Sequence, residues 1–360
     1  MRRIRPRLAA LFGLFLAASM VLGLLRPPAD PGAHLRPAQA APAERTMQLG
    51  LHVKNIYNLS LQDKTFAAEG WFWLTWPASI QTLIERNNIP LTELVELVNQ
   101  VEGWDQRLEM DTQQPVRQAD GRYLQLYRFS AKFYDDQQAL QTFPYEQLEL
   151  PITIETRPPQ FSMADGAVVL DPNQKPSEIL GESVDLNGYD LHGIEVSEAI
   201  HVYPSSFGNG SQIHAGEYSQ VNYNVLYHTN IWAAFYRYVL PWLAVMVILL
   251  LAPNLEGDLN ELRLAIPSTA LLTLVFLQEG AHGNLPPLDY LTYLDKLYLF
   301  GYLASTVEFW LFVWGSNLIS RSEAGQQGAA MARINGVDRV YQLAVIGGAL
   351  CLMGLGLLRA

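Results

Sequence analysis

The sequence predicts an exported β-sandwich of immunoglobulin-like type with a helical insertion, followed by a four-helix transmembrane bundle. Three observations predict it. The N-terminus reads as an export leader, the next 190 or so residues carry short alternating strands with turn signals between them, and four apolar spans close the chain.

The leader is MRRIRPR, an apolar run from Leu8 to Leu25, and then Pro-rich chain ending in Ala38-Gln39-Ala40. That is a basic region, an apolar region and a small-residue cleavage signature, and it assigns residues 1–40 to a signal peptide. The apolar run is long and far from the cleavage signature, so an uncleaved anchor is the alternative; either way the following domain is exported. The first 40 residues hold six arginines and one acid, so their removal takes the formal charge from −11 to −16. An acidic chain of this kind excludes nucleic acid as a natural partner and suits a domain that attracts cations. The single cysteine, Cys351, leaves the exported domain to rest on its core without disulfides.

Residues 41–229 form the predicted sandwich. Met47 to Leu61 and Thr65 to Trp76 read as strands. In the second, Phe72, Leu74 and Trp76 share one face and Trp71 and Trp73 the other. The first set suits a core; the two tryptophans need cover from a partner or an adjacent loop. Ser79 to Trp104 reads as a helical excursion, with Pro90 in a first turn and Leu91, Leu94, Val95, Val98 and Val101 as its apolar stripe. Strands resume after the Asp120-Gly121 turn and run to Tyr134. Leu148 to Thr156, Gly188 to Tyr203 and Glu217 to Tyr227 are further strands, the last two joined by a Gly/Ser/Asn-rich hairpin tip. There is no phosphate loop, no catalytic motif and no His/Cys/Asp cluster at metal spacing. The seven histidines are scattered, and each reads as a surface or core residue rather than a ligand. An enzyme, a cofactor and a metal are therefore not expected.

Residues 230–360 form the membrane half, with spans at about 231–252, 261–284, 290–314 and 337–358. A linker of roughly 20 residues, Ser316 to Gly336, separates the last two. The second span, about 24 residues and some 36 Å as a helix, carries a graded stripe. Glu261, Ala265, Thr269, Leu272, Phe276 and Glu279 fall at steps of three or four and share one face. Lipid does not tolerate carboxylates and hydroxyls, so this face should meet protein or water.

The layout and several motifs resemble the pentameric ligand-gated ion channels. DGRYLQLYRFSAKF looks like the strand pair leading into that family's signature loop, and FPYEQLELPI (Phe143 to Ile152) resembles the segment closing it, with Glu146 where Asp is usual. The absence of cysteines there is similar to bacterial members. VLPW around Pro241 resembles the family's first-span proline, and STALLTLVFL (Ser268 to Leu277) the pore helix of cation-selective members. Counting back from NLPP (Asn284 to Pro287), Glu261 falls where proton-gated bacterial channels carry their intracellular-mouth glutamate. The resemblance spans about residues 46–358. Pro267 inside the pore helix and the lack of an arginine before the first span depart from the family pattern; His228 is the nearest cation.

The resemblance implies a homopentamer in a bacterial inner membrane, its N-terminal domain in the periplasm, passing monovalent cations along the six-residue stripe. It implies an agonist site between neighbouring sandwiches, with Trp71, Phe161, Tyr203, Phe207 and Tyr218 as the aromatic candidates. Phe143, Pro144, Glu146, His228 and Pro286 are the implied gating-coupling residues. A small molecule held by cation–π attraction and protons titrating exported carboxylates are both open as the stimulus. A non-conducting receptor of the same fold is the alternative function.

Overall fold

The structure, a computed structural model, describes residues 35–37, 42–136, 138–162, 168–204, 216–255, 260–323 and 326–357. The chain divides into two compact units. One holds the β-rich residues to Gln138 and Gln147–His228. The other holds Thr229 onward together with the eight-residue segment Ala139–Glu146.

The β unit contains two sheets. In the first, β1 (Leu35–Pro37), β12 (Tyr189–Val202), β13 (Glu217–Thr229), β9 (Gln147–Thr156) and β4 (Val95–Leu97) lie side by side in that order. The three residues of β1 belong to the stretch read as leader, and they pair with Ala199–His201 of β12. In the second sheet, β10 (Val169–Asp171), β2 (Thr46–Ser60), β3 (Thr65–Trp76) and β8 (Tyr123–Tyr134) are neighbours. Three short strands line β8: β5 (Gln100–Val101), β6 (Arg107–Met110) and β7 (Val116–Arg117); β11 (Leu180–Ser183) joins β2.

The alternation seen in the sequence sets which faces are buried. Phe72, Leu74 and Trp76 of β3 are buried, and they share one core with Phe129 and Phe133 of β8 and with Leu150, Ile152, Val221 and Val225 of the other sheet. The two sheets thus enclose a single apolar layer. Trp71 and Trp73 lie on the outer face, half-buried. The Trp73 indole covers Gly50, its register partner on β2, where a Cβ would come within 2.1 Å of the indole. Gly121 supplies the positive φ (85°) of the turn into β8, and Asp120 Oδ1 accepts from the Arg122 amide at 3.0 Å.

The excursion at 79–104 is mostly not helical. Only Ala78–Arg86 forms an α-helix, α1; Leu91–Glu93 and Gly103–Asp105 are single 3-10 turns. Asn88 adopts a left-handed φ of 56° just beyond it, and Pro90 has no amide hydrogen and biases Ile89 toward extended backbone. Of the apolar stripe, Val95 belongs to β4 and Val101 to β5. These β-branched side chains fit a pleated surface better than a helix.

In the other unit, four helices are long and apolar enough to cross a membrane. The first, α2, runs Ile231–Asn254 and contains a π-turn at Phe235–Val239 just before Pro241. The others are α3 (Asn260–His282), α4 (Tyr293–Ser320) and α5 (Gln327–Leu357). α3 packs on both α2 and α4, and α4 also packs on α5. Gly301 of α4 permits the close approach: a Cβ there would lie 2.8 Å from Leu274 of α3 and 3.2 Å from the Trp242 indole nitrogen of α2. The 20-residue linker between the last two spans shrinks to Arg321–Gln326, because both helices extend into it. Its sequence, Gln327-Gly-Ala-Ala-Met-Ala-Arg, is rich in helix formers.

Candidate functional site

α3 stays helical through Pro267, whose ring faces the buried side. Arg263, Pro267, Ala270, Leu274 and Ala281 are buried against the neighbouring helices. The face away from them holds all six residues of the graded stripe. Glu261, Ala265, Thr269 and Glu279 are exposed, as are Leu272 at 56% and Phe276 at 68%. Two carboxylates and a hydroxyl therefore point away from the chain's own helices on the same side of α3. The Thr273 hydroxyl donates to the Thr269 carbonyl (2.8 Å), and Ser268 to the Leu264 carbonyl (2.9 Å). These back-bonds satisfy the hydroxyls without partners from another helix. Near the C-terminal end of α3, His282 Nε2 lies 2.6 Å from Asp295, and Gln278 donates to the same carboxylate at 2.9 Å.

Arg263 carries its charge inside the helical unit. It is buried on α3, donates to Asp338 of α5 at 2.5 Å, and stacks over the Phe312 ring of α4 at 4.3 Å. Glu308 of α4 is also fully buried in this unit. Sequence spacing could not pair Arg263 with a residue 75 positions away.

The residues singled out for coupling fall into two groups. Phe143, Pro144 and Glu146 are buried in the helical unit. Phe143 packs edge-on against Tyr238 at 5.0 Å, and its carbonyl accepts from Leu294 at 3.0 Å. The Glu146 carbonyl accepts both the amide and hydroxyl of Thr229 (3.2 and 2.8 Å). Gln141 receives the Tyr293 amide at 2.9 Å, so this short segment is tied to the starts of α2 and α4. Pro286 is buried just beyond α3. His228 lies elsewhere, at the end of β13, with its ring edge-to-face on His192.

The aromatic ligand candidates are only partly brought together. Tyr203 and Tyr218 are 6.0 Å apart and nearly perpendicular. Phe161 is fully buried in the shared core, so its ring is already covered. Trp71 is on the other sheet, beside His52 and with the Arg128 guanidinium 5.9 Å from its ring. Phe207 lies outside the described residues.

Sequence reading missed the group beneath Tyr203. Glu155 of β9 is buried, and its carboxylate accepts from the Tyr203 hydroxyl (2.9 Å) and meets His201 Nδ1 at 2.8 Å. Glu96 of β4 is its register partner. Burial, followed by the neighbouring Glu155 charge, raises the Glu96 pKa, with Arg157 opposing. Burial and then Glu155 likewise push the Tyr203 hydroxyl well above the usual range. The available signal was Glu155 itself, an acid inside the apolar strand LELPITIET.

Fold and site together define a multi-pass membrane protein in which a two-sheet β unit precedes four apolar helices. Comparison of the sequence with models of known protein families and with curated proteins finds no match.

Proposed function

We propose that this chain is one subunit of a homopentameric ligand-gated ion channel, selective for monovalent cations, with its β-sandwich on the periplasmic side of a bacterial inner membrane. The observation that carries the reading is the direction of the α3 stripe: every one of its six residues is exposed, while the opposite face is buried. Carboxylates and a hydroxyl on a membrane helix call for water, and one helix cannot enclose water. Several copies around an axis can.

In such an assembly Glu261 rings the cytoplasmic mouth, attracting cations and repelling anions. Ala265 and Thr269 line a narrow polar zone where an ion exchanges hydration contacts. Leu272 and Phe276 form two apolar layers that expel water when close together, leaving a bare ion facing a large desolvation barrier. Tilting α3 widens them. Glu279 forms the outer cation-attracting ring.

The test is ion flux from purified protein in liposomes. Glu261→Gln lowers cation-over-anion permeability severalfold, read as a shift of reversal potential; an unshifted potential removes the assignment. Currents evoked by a pH jump alone identify protons as the stimulus, and currents requiring an added amine identify the amine as the stimulus. Protein that binds such an amine and passes no ions is the non-conducting receptor instead.

A further inference from the structure

We propose that His192 and His228 form a binding site for a divalent transition-metal ion that favours imidazole, such as Zn²⁺ or Ni²⁺. The two residues are far apart in sequence, and the fold brings them together on the hydrogen-bonded neighbours β12 and β13. Their ring centroids are 4.5 Å apart, with the planes at 87°. Neither belongs to the apolar core: His192 is exposed and His228 half-buried.

The distance suits chelation. A tetrahedral metal with bonds near 2.0–2.1 Å needs its two ligating nitrogens about 3.3 Å apart. A ring nitrogen sits roughly 1 Å from its centroid, so small rotations of rings 4.5 Å apart reach that separation. Neutral imidazole is the side chain most used for such ions.

The surroundings favour a cation. On β9, Gln147 stands opposite His228, and Glu149 is its diagonal neighbour, about 7–8 Å away by strand geometry. On β12, Asp190 is two residues from His192 and so shares its face. Among the described residues no third His, Cys, Asp or Glu completes a preformed triad, so water fills the remaining positions. The site is independent of whether the protein conducts. His228 directly precedes Thr229, where the chain passes into the helical unit, so a bound metal braces the strand leading into the first span.

The experiment is calorimetric titration of Zn²⁺ into the full-length protein in detergent. The wild type takes up one ion per chain. His192→Gln and His228→Gln each weaken that binding at least about tenfold, and His52→Gln leaves it unchanged. As a second measurement, Zn²⁺ raises the melting temperature of the wild type but not of the double variant. The metal-free melting temperatures of the variants check that they are folded. Wild-type affinity retained in the His192→Gln/His228→Gln double variant, or no saturable binding to the wild type, overturns the proposal.

Discussion

At the scale of single residues, buried acids are the most informative feature of the β unit. Glu155 is held by two donors, Tyr203 and His201, which is how a carboxylate survives within a sheet. Removing one donor gives a first prediction: Tyr203→Phe destabilises the β unit by about 1.5–3 kcal/mol, measured by denaturant unfolding. Glu96 faces Glu155 across β4 and β9 without comparable support; its nearest cation, Arg157, is 3.9 Å away. Folding raises the Glu96 pKa above its ordinary 4.5, so the folded state holds this proton more tightly than the unfolded chain. Stability then falls as pH rises from about 4.5 through the raised value, and levels off above it. Glu96→Gln removes that dependence. The variant gains up to about 1 kcal/mol over wild type at neutral pH, and the gain vanishes below the ordinary carboxylate range. A gain that persists undiminished at low pH would point to packing rather than charge.

At the scale of elements, legibility followed whether local pattern or distant contact decided the structure. β3 and β8 lie close to where alternation and the Asp120-Gly121 turn placed them, because a two-residue period and a positive-φ glycine are local facts. The segment after α1 was misread because its valines satisfy a helical spacing as well as a strand. Their pairing with β9 and β8, which no local pattern reveals, settles the choice. The start of α5 was read as linker because it carries charge. In the fold Arg333 stacks on Trp314 at 5.7 Å, so this charge lies on a helix with a distant partner; Asp338, inside the predicted fourth span, binds Arg263 as the second such pair. Breaking the second pair leaves Arg263 buried without its hydrogen-bonded carboxylate. Asp338→Asn should therefore cost about 3–5 kcal/mol, seen as a lower melting temperature in detergent. Glu308 predicts the opposite sign. It is fully buried, the Asp338 carboxylate is among its neighbours, and the Tyr341 hydroxyl beside it donates to the Ala304 carbonyl, so Glu308→Met should raise the melting temperature. A fall on that substitution would show that the carboxylate is satisfied, by the Tyr341 hydroxyl or by water.

At the scale of the whole molecule, the exposed stripe of α3 was legible and the arrangement of the aromatic candidates was not, for one reason. The stripe is written along a single helix, so a 3.6-residue period exposes it. A ligand box drawn from loops of two sheets depends on where those loops meet, which explains why Phe161 is in the core while Tyr203 sits over an unforeseen Glu155. Assembly is the level at which the stripe acquires a role, and it can be tested without current. Cys351 is the only native cysteine, so Cys351→Ser gives a clean background for Thr269→Cys and Leu272→Cys. If α3 faces a shared axis, mild oxidation in membranes links these new cysteines into dimers. A cysteine at Leu343, exposed on α5 well away from α3 in sequence, then remains monomeric. The logic is geometric: a disulfide requires Cα atoms within about 7 Å, which identical residues meet when they converge on a narrow axis. Robust linkage at Leu343→Cys with none at Thr269→Cys or Leu272→Cys would turn the assembly inside out, placing the carboxylate stripe toward lipid and excluding α3 as the wall of a pore.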